Sequence, residues 1–333
     1  MAPLTMRIIT KPSAPEVAAT RRRRRWTLAV AVPLAVLLLA VATIYLWPLG
    51  DGRLRRSEAP TLGFADATAA AQRQVARDET DATVRPECRT QLLTHGQRAS
   101  RTVLMLHGYT GCPADFQALA RVFFDRGYNV YVPREPRHGR VDKDAHEFVT
   151  ATELVDYADT SAGIAAGLGS EFGVVGLSGG GNLATWLTEY RGDVKRALLL
   201  APFYAPDASQ APPMLIKPMT VLWGRRVLPD RRNGDMFYSA LAQYLQIRAN
   251  YKDHPVNESL TSLAVVTSGA DHLINVDEAF ALPGEIARTN DVPLTEYKIP
   301  AAQNLPHDIV GPASIGPAAA DLYPRYLTMY EAV

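Results

Sequence analysis

The stretch Gly173-Val174-Val175-Gly176-Leu177-Ser178-Gly179-Gly180-Gly181 carries an apolar, strand-like run straight into a G-x-S-x-G pattern and then into a segment of helical spacing. With 23 Gly in the chain, composition alone yields only about 0.06 copies of that pattern, so a glycine-rich turn with an idle serine is the weaker explanation. A serine on so sharp a turn presents its hydroxyl as a nucleophile. Gly176 and Gly180 stay small so that strand and helix can approach, and the helix N-terminus lends its positive end to a developing anion. The chemistry this implies is nucleophilic attack of Ser178 on an acyl carbon.

A serine hydroxyl is a weak nucleophile until a base takes its proton, so a histidine held by a carboxylate must be supplied elsewhere. On a strand–turn–helix nucleophile the order along the chain is serine, acid, histidine. Asp271 follows a strand-like run in Val266-Thr267-Ser268-Gly269-Ala270-Asp271, with Asp277 as its competitor. His307 is the only histidine beyond both aspartates, a loop histidine being the plainer alternative; His272 would break the order. The oxyanion needs two N–H donors, and Leu106-His107-Gly108-Tyr109-Thr110-Gly111 follows a strand at the place that supplies one. We assign the donors to Tyr109 and Gly179, and read His107 and His138 as residues that constrain loops.

These residues need a scaffold. Strands are expected at 102–106, 128–132, 172–177, 194–200, 263–267 and 294–299. Helices are expected from Pro113 to Gly127, through Leu154 to Leu168, over 179–190 and 277–288, and near the C-terminus. Such alternation predicts a mostly parallel sheet flanked by helices, an α/β fold. Between 202 and 260 it breaks into a proline- and aromatic-rich insertion, expected to cap the site. Residues 50–87, rich in Ala, Arg, Asp and Thr, suggest an exposed linker with a helix near Ala65–Arg77.

The formal charge of +1 conceals a basic block, Arg21 to Arg25, ahead of an uncharged run from Trp26 to Leu49. A nucleic-acid partner is not supported. The run is long enough to cross a bilayer as one helix, and Arg7, Lys11 and the five arginines outnumber Arg53, Arg55 and Arg56 on its far side. This organisation predicts a cytoplasmic tail (1–25), a transmembrane anchor (26–49), a linker (50–87) and a catalytic domain (88–333) outside the cytoplasmic membrane. The alternative is a cleaved signal peptide and secretion, with Ala40-Val41-Ala42 as the small-x-small site. Cys88 and Cys112 both lie beyond the run, where an oxidising compartment lets them pair; two free thiols are the alternative.

His107-Gly108-Tyr109-Thr110-Gly111, Arg137-His138-Gly139, Gly176-Leu177-Ser178-Gly179-Gly180, and Asp271 with His307 resemble the bacterial carboxylesterase and monoacylglycerol-lipase branch of the α/β-hydrolases, over about residues 88 to 333. The resemblance implies a Ser178, Asp271, His307 triad, an oxyanion hole from Tyr109 and Gly179, a lid after Ala201, and hydrolysis of a small-molecule or lipid ester without metal or organic cofactor. A peptidase or acyltransferase on the same fold is the first alternative, and a catalytically silent binding module the second. The N-terminal anchor, and Cys112 within the oxyanion loop, depart from the small soluble esterases.

Overall fold

A computed structural model describes residues 14–332. The chain divides into two compact units, Met1–Pro48 and Leu49–Val333. In the first, helix α1 (Ala14–Leu46) runs continuously through Pro33. Its Trp26–Leu46 portion has 21 residues, about 32 Å at 1.5 Å per residue, which is long enough to cross a hydrocarbon core. Arg7 and Lys11 of the expected basic tail lie outside the described residues, whereas the backbone of Arg21 to Arg25 belongs to α1.

The second unit opens with α2 (Phe64–Thr80) and β1 (Gln91–Leu93), followed by β2 (Ala99–Leu106), α3 (Gln117–Asp125) and β3 (Tyr128–Val132). Next come α4 (Ala151–Gly167), β4 (Gly169–Leu177), α5 (Gly179–Tyr190) and β5 (Val194–Leu200). An insertion holds α6 (Pro213–Leu222), a short hairpin of β6 (Arg232–Asn233) and β7 (Met236–Phe237), and α7 (Tyr238–Arg248). The chain then returns through β8 (Ser262–Ser268), α8 (Val276–Asn290), β9 (Leu294–Ile299), α9 (Pro312–Ile315) and α10 (Ala319–Glu331).

Seven strands form one sheet in the order β1-β3-β2-β4-β5-β8-β9. All neighbours are parallel except β1, which pairs antiparallel with β3. Helices cover both faces, so the central strands are buried on either side and read as unbroken apolar runs: every residue of β8 is buried. The helices start where local chemistry allows. At α4, Thr150 Oγ1 accepts the Glu153 N–H at 3.2 Å while the Glu153 carboxylate accepts the Thr150 N–H at 3.0 Å, a reciprocal cap. The parallel arrangement turns the loops after β2, β4, β8 and β9 to one edge of the sheet, where α/β folds bind ligands.

Two expectations need correction. Residues 50–87 are not an exposed linker. Leu54 is buried and its carbonyl accepts the Trp186 indole N–H at 2.7 Å. The buried Asp159 carboxylate accepts from Ser57 Oγ and from the Glu58 and Ala59 N–H groups at 2.7–2.8 Å, and it pairs with Arg191 at 2.9 Å. Helix α2 buries Ala67 and Ala71 completely, and a Cβ at Gly167 would come within 2.7 Å of the Ala67 methyl. Small side chains seat this helix by close approach, which a search for large apolar residues overlooks. The helix expected from Pro113 to Gly127 is a 3₁₀ turn, Pro113–Phe116, followed by α3, and the chain leaves it through Gly127 at φ +96°. The antiparallel edge strand β1 was not foreseen; three residues carry too little pattern.

Candidate active site

Ser178 sits between β4 and α5 at φ +54°, ψ −114°, a region that only a surrounding framework makes tenable. The framework is visible: its N–H donates to the Leu200 carbonyl at 2.9 Å, and its own carbonyl accepts from Asn182 N at 3.0 Å and Phe203 N at 3.0 Å. Both flanking glycines are required by contact. A Cβ at Gly176 would meet the Gly180 carbonyl oxygen at 2.2 Å, and one at Gly180 would meet the Leu106 carbonyl oxygen at 2.1 Å. A side chain at Gly176 would push α5 off β4, and one at Gly180 would push it off the end of β2.

His307 lies in the loop after β9. Its Nδ1–H donates to Asp271 Oδ2 at 2.6 Å, leaving Nε2 to accept the Ser178 hydroxyl at 2.7 Å. Asp271, in the loop after β8, also accepts the Leu273 N–H at 2.8 Å, which fixes the carboxylate plane. Three residues separated by up to 129 positions thus form one hydrogen-bonded chain. Asp277 lies exposed in the first turn of α8. The His307 loop is held by contacts that sequence reasoning did not anticipate: Ser268 Oγ donates to Leu305 O at 2.6 Å, and the Tyr326 and Tyr323 hydroxyls of α10 donate to the carbonyls of Ile309 and Val310 at 2.9 and 2.7 Å.

The other two assigned positions flank the serine. A Cβ at Gly108 would come within 3.3 Å of Ser178 Cβ, so the chain at Gly108 runs beside the serine side chain. Gly179 is the first residue of α5, and its N–H belongs to the four amides of a helix without an intrahelical acceptor. Beneath this loop His107 is fully buried, accepting the Glu135 N–H on Nε2 and donating from Nδ1 to the Gly108 carbonyl, both at 3.0 Å. Burial pushes its pKa down to about 4, which keeps the ring neutral with the proton on Nδ1. His138 is also buried, its Nδ1 donating to the Pro136 carbonyl at 2.8 Å. Both histidines fasten loops, as expected.

Cys88 and Cys112 are joined by a disulfide with Cα atoms 5.2 Å apart. Cys112 directly follows the Gly108–Gly111 turn, so the bond ties that turn to the segment preceding β1. Missed by the sequence reading were Glu135 and Tyr244, both fully buried and joined at 2.9 Å through the tyrosine hydroxyl. A glutamate flanked by arginine and proline reads as surface, and only the fold reveals that it points inward.

The sequence matches the Hydrolase_4 family, described as serine aminopeptidase, S33, over residues 97–283. Over 98 residues it is 33% identical to a thermostable monoacylglycerol lipase of Bacillus sp. (strain H-257), an alignment covering 28% of this chain and 36% of that protein. Among solved structures, one described with LipS and LipT, two metagenome-derived lipolytic enzymes, superposes with a TM-score of 0.54 at 18% identity, covering 74% of this chain and 98% of the other. A soluble variant of monoglyceride lipase from Saccharomyces cerevisiae, in complex with a substrate analog, gives 0.51 at 10% identity, covering 74% and 92%. At such identities the superpositions speak for the fold: this is an α/β-hydrolase.

Proposed function

Because the chain belongs to the Hydrolase_4 family of α/β-hydrolases, we propose that it is a serine hydrolase cleaving a carboxylic ester through an acyl-enzyme intermediate. One observation carries this reading: His307 bridges the Ser178 hydroxyl at 2.7 Å and the Asp271 carboxylate at 2.6 Å. In the proposed reaction Ser178 Oγ attacks the ester carbonyl while its proton passes to His307 Nε2, and Asp271 holds the imidazole in the tautomer that can accept it. The tetrahedral oxyanion is stabilised by the N–H groups of Tyr109 and Gly179. Its collapse expels the alcohol, protonated by His307. Water, deprotonated by the same ring, then releases the acid.

The insertion over 202–260 acts in this proposal as a cap, since its hairpin is bonded to Tyr109 and its α7 backs onto Gly179 through Tyr244. The partial likeness to a monoacylglycerol lipase favours a lipid-like ester. Helix α1 is proposed as a single-pass anchor that leaves the catalytic unit on the extracytoplasmic side; the Cys88–Cys112 bond, which requires an oxidising compartment, supports that side. A cleaved signal sequence is the competing use of the same helix.

The family description favours a second reading, an aminopeptidase on the same triad. A panel of p-nitrophenyl esters of increasing chain length, run beside aminoacyl p-nitroanilides on wild type and Ser178→Ala, tests both. Ester turnover that vanishes with Ser178 supports the proposal. Turnover of the anilides alone replaces the esterase with a peptidase, and turnover that survives Ser178→Ala removes the assigned nucleophile.

A further inference from the structure

Glu135 stands in the loop after β3, its side chain fully buried, and it reaches both sides of the serine. On one side its backbone N–H donates to His107 Nε2 at 3.0 Å, and His107 Nδ1–H donates to the Gly108 carbonyl at 3.0 Å. In a trans peptide the carbonyl and the following N–H point in opposite directions, so fixing the Gly108 carbonyl fixes the direction of the Tyr109 N–H. On the other side Glu135 Oε2 accepts the Tyr244 hydroxyl at 2.9 Å. The Tyr244 ring backs directly onto Gly179, where a Cβ would come within 2.7 Å of it. A single buried residue therefore ties down both backbone segments assigned as oxyanion donors.

We propose that Glu135 is a positioning residue that sets the geometry of the oxyanion hole, its backbone N–H acting through His107 on Tyr109 N–H and its carboxyl acting through Tyr244 on Gly179 N–H. This rests on the reading of Ser178 as nucleophile and of those two amides as donors. The side chain has no other anchor: Oε1 makes no hydrogen bond, and His138 Nδ1 is 3.8 Å from Oε2. Tyr244 thus sets its orientation.

The charge of the group matters because an anion must form close by. Burial pushes the Glu135 pKa up to about 8. Facing it are Tyr244 from α7, Tyr157 from α4, His138 on its own loop and His107 after β2. Burial keeps both histidines neutral, and the neighbouring Arg134 guanidinium is turned to Asp78 at 2.7 Å. Below pH 8 the carboxyl is uncharged and repels nothing. Above it, a carboxylate behind both donors opposes the oxyanion, so the cost falls on kcat and not on ground-state binding.

The test compares Glu135→Leu, Glu135→Gln and Tyr244→Phe in the full-length protein, with kcat and KM for a p-nitrophenyl ester followed over pH 6 to 10. Glu135→Leu keeps the backbone N–H that serves His107 and loses only the carboxyl that holds Tyr244, so it should lower kcat by about tenfold, with KM within about twofold, because small displacements of oxyanion donors are paid in the transition state. Glu135→Gln still accepts the Tyr244 hydroxyl and should recover most of that loss. It should also lack the fall in kcat that wild type shows above pH 8. Tyr244→Phe, which keeps the ring behind Gly179, should lose about tenfold in kcat, and it decides the matter if Glu135→Leu does not fold. Unchanged kcat in Glu135→Leu or in Tyr244→Phe, or identical alkaline limbs for wild type and Glu135→Gln, overturns the inference. Ser178→Ala, run in parallel, separates the two levels: if it keeps turnover the site itself is misassigned, and if it is dead while the Glu135 and Tyr244 variants are normal, only the positioning role fails.

Discussion

The Tyr109 hydroxyl accepts the Phe237 N–H at 2.9 Å, joining the loop beside Ser178 to the β6–β7 hairpin of the insertion. The ring is wedged edge-on against His138 and His146, at 5.8 and 5.0 Å between centroids, so the contact links a well-packed loop to the insertion proposed as a cap. Tyr109→Phe keeps the ring and leaves the buried Phe237 N–H unpaired, at a cost of about 1–3 kcal/mol. We expect a lower melting temperature and an altered KM for long-chain esters. Because the proposed donor is the backbone amide, kcat for an acetate ester should stay within about threefold. An unchanged melting temperature would mean that the hairpin is held by other contacts.

Asp271→Asn keeps the shape of the residue but no longer holds His307 in the accepting tautomer, and kcat should fall by roughly 10⁴-fold. Asp277→Asn, on an exposed turn of α8, should leave kinetics unaltered. Steady-state kinetics on the two variants checks this, and the reverse ranking would reassign the acid.

The disulfide closes a loop with a sequence separation of 24. In the chain-entropy account its removal destabilises the unit by about 3.5 kcal/mol. Cys88→Ser and Cys112→Ser should each lower the melting temperature and, by loosening the turn before Cys112, also kcat. The double variant should be no worse than either single one, since the bond is lost in all three. Thermal melts with and without reductant check the stability part: a wild type indifferent to reductant would show that the bond contributes little.

Glu189, buried in α5, has its pKa pushed up from 4.5 to about 8 by desolvation, against the pull of the Lys252 N–H that donates to it at 2.7 Å. Between these values the unfolded chain gives up a proton that the folded chain keeps. Stability from this group is therefore complete below pH 4.5 and declines as pH rises toward 8, by at most about 1.4 kcal/mol per pH unit. Glu189→Gln retains an acceptor for Lys252 and removes the titration. Its melting temperature should vary less than that of wild type between pH 5 and 8; parallel curves would refute the assignment.

With α1 as an anchor, the protein should fractionate with membranes, and a C-terminal alkaline-phosphatase fusion should be active in cells. An inactive fusion would place the catalytic unit in the cytoplasm.

Much of the fold is legible in the residues. The strands at Tyr128–Val132, Val194–Leu200 and Leu294–Ile299 have the predicted boundaries, because turn residues bracket short apolar runs on both sides. The 50–87 segment does not show its packing in sequence because Ala67, Ala71 and Gly167 contribute by closeness, a property of pairs of surfaces and not of either sequence.

By itself the sequence determined the alternation of elements, the strand–turn–helix at Ser178, and the order in which an acid and a histidine follow it. Each of these depends on local patterning of burial and turn chemistry, which a linear chain carries in full. Only the tertiary structure decided which carboxylate meets His307, that Cys88 reaches Cys112, and that Glu135 and Tyr244 lie behind the backbone on either side of Ser178. Those are encounters between positions as much as 109 residues apart. They are settled by how helices seat on a twisted sheet, and distance along the chain carries no record of them.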